Sequence, residues 1–227
     1  MKVQKSILIA VFLILVIVEL LSRWLENHTL EYVAKPFLMI WIAVFFVLYS
    51  KKKSFRAFVL MAFFFSWLGD MFLMLSHQNE ILFYAGVGGF FFAQIMYILV
   101  FIRFLEIENK GFLRRKPWWL VIFLVYLASV LIMLFPDMDG FMRPVILIYS
   151  ISLIGMSIFA LNRKHRVRQV VFLRVFIGSV FFVISDTLIA LDKFTLDIPK
   201  ASFLIILTYI IAQTLIMSGL VEENEKN

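Results

Sequence analysis

Eight stretches of the chain stay apolar for the thickness of a bilayer core, and the polar residues gather between them. Their approximate bounds are 6–24, 33–50, 55–75, 81–104, 117–135, 143–161, 169–191 and 199–220. A helix rising about 1.5 Å per residue needs about twenty residues to cross about 30 Å of hydrocarbon, so each stretch has the length of one crossing. The runs are continuously apolar, with no alternation of period two, which predicts helices and not the strands of a barrel. Pro36, Pro117, Pro144 and Pro199 fall near the expected helix starts, where a missing N–H is tolerated. The expected fold is an all-α integral membrane protein, a bundle of eight transmembrane helices forming one domain over residues 1–227.

Composition narrows this picture. At 63% hydrophobic and 17% aromatic residues, a chain of 227 residues has too little polar surface to coat a soluble globule. Cysteine is absent, which excludes disulfides, thiolate nucleophiles and cysteine metal sites. The first stretch follows Lys2 and Lys5 in the manner of a signal peptide, but its apolar run is long and no A-x-A cleavage site follows, so it reads as a retained first helix.

The net charge of +7 does not point to nucleic acid, because the basic residues form short clusters between apolar stretches and no basic domain carries a groove. They follow topology instead. With successive loops assigned to alternate sides, 17 of the 22 basic residues fall on the side of the two termini, among them Lys51, Lys52, Lys53, Arg56, Lys110, Arg114, Arg115, Lys116, Arg163 and Arg166. Arg23, Lys35, Arg143, Lys193 and Lys200 fall opposite. The positive-inside rule then places both termini in the cytoplasm of a multi-pass protein of the cell (inner) membrane.

Two aspartates interrupt the apolar runs, each ending a similar phrase: Phe65-Ser66-Trp67-Leu68-Gly69-Asp70 and Phe181-Phe182-Val183-Ile184-Ser185-Asp186. An ionisable group near the middle of a membrane helix costs roughly 2.5–3.5 kcal/mol on insertion scales, so such a group usually lines a polar cavity or does chemistry. On the assigned topology Asp70 lies roughly 22 Å along the third helix, within the outer third, and Asp186 lies at a similar level in the seventh. Lys35 and Glu19 share that leaflet. The openings Lys35-Pro36 and Arg143-Pro144 of the second and sixth helices, each followed by an aspartate-bearing helix, suggest a 4+4 parallel repeat with a site at its interface.

Other polar residues sit on helical faces that turn inward in a compact bundle. Ser66 lies one turn before Asp70, and Ser185 adjoins Asp186. Gln94 and Tyr97 are three apart on the fourth helix, Tyr209 and Gln213 four apart on the eighth, and Tyr149 and Ser152 lie on the sixth. Taken singly, such residues are often interhelical hydrogen-bond glue worth about 0.6 kcal/mol; together they are expected to line one elongated polar pocket. Lys35 would pair with an acid there or snorkel to the interface. The three histidines, His28, His77 and His165, fall in loops on opposite sides and cannot form one zinc site, and no membrane-embedded histidine is left for a Ser-His-Asp triad. The Gly86-Val87-Gly88-Gly89 cluster reads as close helix packing. Neither metal nor cofactor is expected, and the two carboxyl groups are the best chemistry on offer.

These residues resemble the YhhN family of membrane proteins, whose characterised animal members are lysoplasmalogenases. The resemblance runs over nearly the whole chain, through Lys35-Pro36, Ser66-x-x-Gly69-Asp70-x-x-Leu73, Gly86-x-x-x-Phe90-x-x-Ala93, Gly178-x-x-x-Phe182-x-x-Ser185-Asp186-x-x-x-Ala190 and Tyr209-x-x-Ala212-Gln213-x-Leu215. In one departure, Gln94 stands where the family often has histidine, and glutamine cannot transfer a proton. The resemblance implies hydrolysis of the vinyl-ether bond of a lysoplasmalogen-like, single-chain lipid, to a fatty aldehyde and a glycerophospho-head-group. A carboxylic acid would protonate the enol ether and a second carboxylate would stabilise the cation and guide water. On that reading Asp70 and Asp186 are catalytic, and Lys35, Ser66, Gln94, Tyr97, Tyr149, Ser185, Tyr209 and Gln213 bind substrate, with Lys35 at the phosphate. The residues do not divide acid from anion between the aspartates. The same buried carboxylates also suit a proton-coupled transporter or lipid carrier, or a structural protein in which they serve packing alone.

Overall fold

The computed structural model describes residues 2–50, 53–76, 79–103, 111–138 and 140–225. The helices are α1 (Lys2–Trp24), α2 (His28–Tyr49), α3 (Lys53–Leu75), α4 (Glu80–Arg103), the single turn α5 (Phe112–Arg115), α6 (Trp119–Leu134), α7 (Met142–Asn162), α8 (Gln169–Phe194) and α9 (Ala201–Glu225), with a 3-10 turn at Phe135–Asp137. All but α5 are long and apolar enough to cross a membrane, α6 together with the 3-10 turn that continues it to Asp137, which makes this an all-α protein with eight candidate transmembrane helices among the described residues.

One boundary differs from the sequence expectation in a way that matters. The second helix begins at His28, not near residue 33, because the Asn27 side chain caps it by accepting from the Leu30 N–H at 3.2 Å. Pro36 therefore lies inside α2 and not at its start. The turn around the proline is tied to neighbouring helices, Glu31 pairing with Arg23 of α1 and Lys35 with Asp70 of α3.

The helices close into a ring. α2 packs on α1 and α3, α4 on α3 and α7, α8 on α7 and α9, and α9 returns to α1 and α2; α6 lies outside against α7 and α8. Close pairing of α3 with α4 rests on two glycines: a Cβ on Gly89 would lie 2.8 Å from the Gly69 nitrogen, and a Cβ on Gly69 would lie 2.7 Å from the Phe90 ring. α8 meets α9 in the same manner, since a Cβ on Gly178 would come within 2.9 Å of the Ala212 carbonyl oxygen. Between the pairs, Phe90, Phe182 and Tyr209 meet edge to face with ring centroids 5.7–6.0 Å apart. At the end of the bundle that carries both termini, Arg163 is buried and pairs with Glu223, while Arg174 reaches Glu222 at 2.6 Å.

Candidate functional site

At the opposite end a cavity of about 620 Å³ descends into the ring, lined by α1, α2, α3, α4, α8 and α9. Glu80, Asp192, Lys193 and Ser202 stand around its mouth, and Phe90 and Tyr209 lie in its wall. Both intramembrane aspartates border it: Asp70 of α3, beside Lys35 of α2, and Asp186, brought in by α8.

The two carboxyls have different company. Asp70 accepts a hydrogen bond from the Tyr209 hydroxyl at 2.7 Å, and its other oxygen lies 4.0 Å from the Lys35 ammonium. Asp186 accepts on Oδ2 alone, from the Gln94 amide at 3.1 Å and from the Tyr149 hydroxyl. Its Oδ1 is buried and has no hydrogen-bond partner among the described residues. A buried polar atom left unpaired costs about 1–3 kcal/mol, so its persistence calls for a reason.

Lys35 belongs to a longer line of buried charge. Arg23 of α1 reaches Glu19 at 3.0 Å and also Glu31 of α2, and Arg23, Glu31 and Lys35 all line the cavity. Lys35 thus pairs with an acid and does not snorkel. Arg23 and Glu31 carry no role in the sequence reading. The i, i+4 spacing of Glu19 and Arg23 was a signal for the first, whereas Glu31 sat in what reads as a loop until the Asn27 cap is seen.

The remaining polar residues divide into two groups. Ser185 borders the cavity, although its hydroxyl donates to the Ile205 carbonyl at 3.1 Å, and Tyr149 borders a smaller space on the far side of Asp186. Ser66, Gln94, Tyr97 and Gln213 do not border the cavity; each is fully buried. They form hydrogen-bonded links behind it: Tyr97 donates to Gln213, Gln213 donates to Ser66 at 3.1 Å, and Ser152 donates to the oxygen of Gln94. The expected single pocket lined by all of these residues is therefore a cavity bearing the ionisable groups and a packed network that holds them from below. Inward-facing polarity does not distinguish the two, because both satisfy the rule that buried polar groups are bonded.

The smaller space, about 40 Å³, is mostly apolar and shares Leu73, Phe83, Phe90, Asp186 and Ile189 with the main cavity. Asp186 thus stands at a seam between polar and apolar surroundings. Among the described residues no group of three or more His, Asp or Glu side chains is placed to hold a metal ion. His77 and the basic residues Lys51, Lys52, Lys110 and Lys226 lie outside the described residues.

A ring of membrane-length helices around a cavity with two buried carboxyls defines a multi-pass membrane protein with an internal polar site, whose architecture places it among lipid neighbours. The model of the YhhN family matches residues 30–220, and the chain belongs to that family. Over 48 residues it is 46% identical to human lysoplasmalogenase TMEM86A, a stretch that covers 21% of this chain and 20% of that protein. No solved structure matches.

Proposed function

We propose that the protein is a membrane-embedded hydrolase that cleaves the vinyl-ether bond of lysoplasmalogen-like single-chain lipids. The observation that carries this reading is the unequal pair bordering one cavity: Asp70 beside a lysine, Asp186 with a buried Oδ1 that has no hydrogen-bond partner among the described residues, at the polar–apolar seam. Family membership and the local identity to a protein named lysoplasmalogenase support the reaction class.

In this proposal Asp186 is the acid and Asp70 the anion. The scissile bond of such a lipid joins a polar glycerol to an apolar chain, and Asp186 is the carboxyl at the matching boundary. Its Oδ1 proton passes to the outer alkene carbon of the enol ether, leaving an oxocarbenium ion across the adjacent carbon and the ether oxygen. The carboxylate of Asp70, held by Lys35 and Tyr209, stabilises that cation and orients water. Water adds to the cationic carbon and gives up a proton, the hemiacetal collapses, and the products are a fatty aldehyde and a glycerophospho-head-group, with Asp186 protonated again. Two carboxyls dividing these tasks is the logic of glycosidases. Lys35 and Arg23 supply positive charge for the phosphate, while Gln94 and Tyr149 fix the orientation of Asp186, and Ser66, Tyr97 and Gln213 brace the helices behind.

The same reading places both termini in the cytoplasm and the mouth of the cavity on the outer face of the cell membrane, as the loop charges favour. It also takes the bundle as a 4+4 parallel repeat. The glycine-mediated pairs α3/α4 and α8/α9 support this, as does the cross-over of partners: Asp70 takes Lys35 from its own half and Tyr209 from the other, and Asp186 takes Tyr149 from its own half and Gln94 from the other.

The test is release of aldehyde from a lysoplasmalogen by purified protein in lipid. The native chain is expected to release aldehyde and glycerophospho-head-group in equal amounts, and Asp186→Asn and Asp70→Asn each to lose at least about 100-fold, as removal of an acid–base group does. Absence of aldehyde from the native chain, or full activity in a folded Asn variant, would overturn the reading.

A further inference from the structure

Tyr149 stands where three spaces meet. Its hydroxyl donates to Asp186, and the residue lines both the narrow apolar space beside that carboxyl and a groove of about 250 Å³ on the outside of the bundle. α4 gives the groove Tyr84, Val87, Gly88 and Phe91, and α7 gives it Val145, Ile148 and Tyr149. Tyr84 and Ile148 are exposed, so on a membrane-spanning bundle this groove faces lipid chains. Val87 and Tyr149 are the residues shared by groove and inner space, and so form the partition between them.

The main cavity offers a head-group a way in, but not a chain. From its mouth an alkyl chain would have to be drawn past Arg23, Glu31, Lys35, Glu80, Asp192 and Lys193, and the penalty of leaving lipid for a polar passage grows with every methylene. The inner space, at about 40 Å³ against about 620 Å³ for the main cavity and about 250 Å³ for the groove, is the narrowest of the three, so a chain lies there only after the partition moves. Of the two partition residues, Tyr149 has the ring large enough to open it by rotation.

Resting on the ether-lipid hydrolase reading above, we propose that the substrate's alkyl chain passes sideways from the bilayer between α4 and α7 into the space beside Asp186, with Tyr149 as the gate. The head-group lies in the polar cavity and the enol ether at the seam. The rotation that opens the path withdraws the Tyr149 hydroxyl from Asp186, and its return once the chain has passed restores that bond for the reaction.

Gly88 gives the experiment its handle. A Cβ added there meets nothing within 4 Å, so a side chain at this position starts in open space at the wall of the groove. Gly88→Phe, and Ile148→Trp from the opposite wall, are compared with Gly88→Ala for turnover of a long-chain vinyl-ether lysophospholipid in liposomes and of a water-soluble, four-carbon enol ether. The ratio of long- to short-chain turnover is expected to fall at least tenfold in both bulky variants and to stay within twofold of native in Gly88→Ala. An unchanged ratio overturns the lateral path. If the native chain hydrolyses neither compound, the hydrolase reading fails, and the path is read instead with a lysophospholipid carrying a diazirine in its chain. Cross-links to residues 84–91 and 145–149 that disappear in Gly88→Phe sustain the path, and cross-links confined to other helices overturn it.

Discussion

Asp70 and Asp186 are the same side chain in two settings, and what separates them is the neighbour that answers their charge. A hydroxyl bonded to an ionised carboxylate contributes about 1.5–3 kcal/mol, one bonded to a neutral acid about 0.5–1.5 kcal/mol. In the proposed reaction Asp70 is charged throughout, whereas Asp186 gains charge as its proton leaves, so the Tyr149 bond strengthens in the transition state and the Tyr209 bond does not. Tyr149→Phe, which keeps the ring, is therefore expected to slow aldehyde release by about three- to tenfold and Tyr209→Phe by less than about threefold, at roughly tenfold per 1.4 kcal/mol. Rates of purified variants on one lipid check this. The opposite order would exchange the roles of the aspartates. The aspartates themselves were legible in the sequence because a carboxyl in an apolar helix is conspicuous. Their partners were not: Tyr209 reaches Asp70 across 139 positions, and nothing in an isolated tyrosine says whether it will face an acid, as Tyr209 does, or a glutamine, as Tyr97 does.

At the scale of elements, adjacent glycines of α4 serve opposite ends. Gly89 faces α3 so closely that a methyl group would strike the backbone of Gly69, one residue from Asp70, while Gly88 faces open space. Gly89→Ala should therefore force α3 and α4 apart and cost about 1–3 kcal/mol, as overpacking generally does, and displace Asp70 with it. Gly88→Ala should be neutral or stabilising by up to about 1 kcal/mol, since alanine is the better helix former. Thermal unfolding in one detergent compares them, and equal effects would contradict the packing described. In the sequence the whole 86–89 cluster reads as close packing, which holds for Gly86 and Gly89 and not for Gly88. Glycine spacing marks a helix that can approach another; only the rotation of α4 about its axis decides which glycines do.

For the molecule as a whole, crossings are legible because bilayer thickness sets helix length, and helix order in space is not, because apolar surfaces are alike in lipid. Return of α9 to α1 and α2, which delivers Tyr209 to the cavity, is of the second kind. Sidedness is expected from loop charge alone. Arg163, Arg168 and Arg174 gather at the end where α9 finishes, and Glu222 and Glu223 pair with them. On the proposed topology this arginine-rich end is expected in the cytoplasm and the mouth of the cavity outside. The native chain has no cysteine, so single cysteines report sidedness directly. Lys116 lies exposed between α5 and α6 at the end of the termini, and Asp197 lies exposed between α8 and α9 at the other. A membrane-impermeant maleimide added to intact spheroplasts should label Asp197→Cys and spare Lys116→Cys, and inverted vesicles should give the reverse. The opposite pattern would turn the protein over and give the cavity a cytoplasmic source of head-groups and water; labelling of both from one side would mean that the number of crossings between them is even, against the three made by α6, α7 and α8.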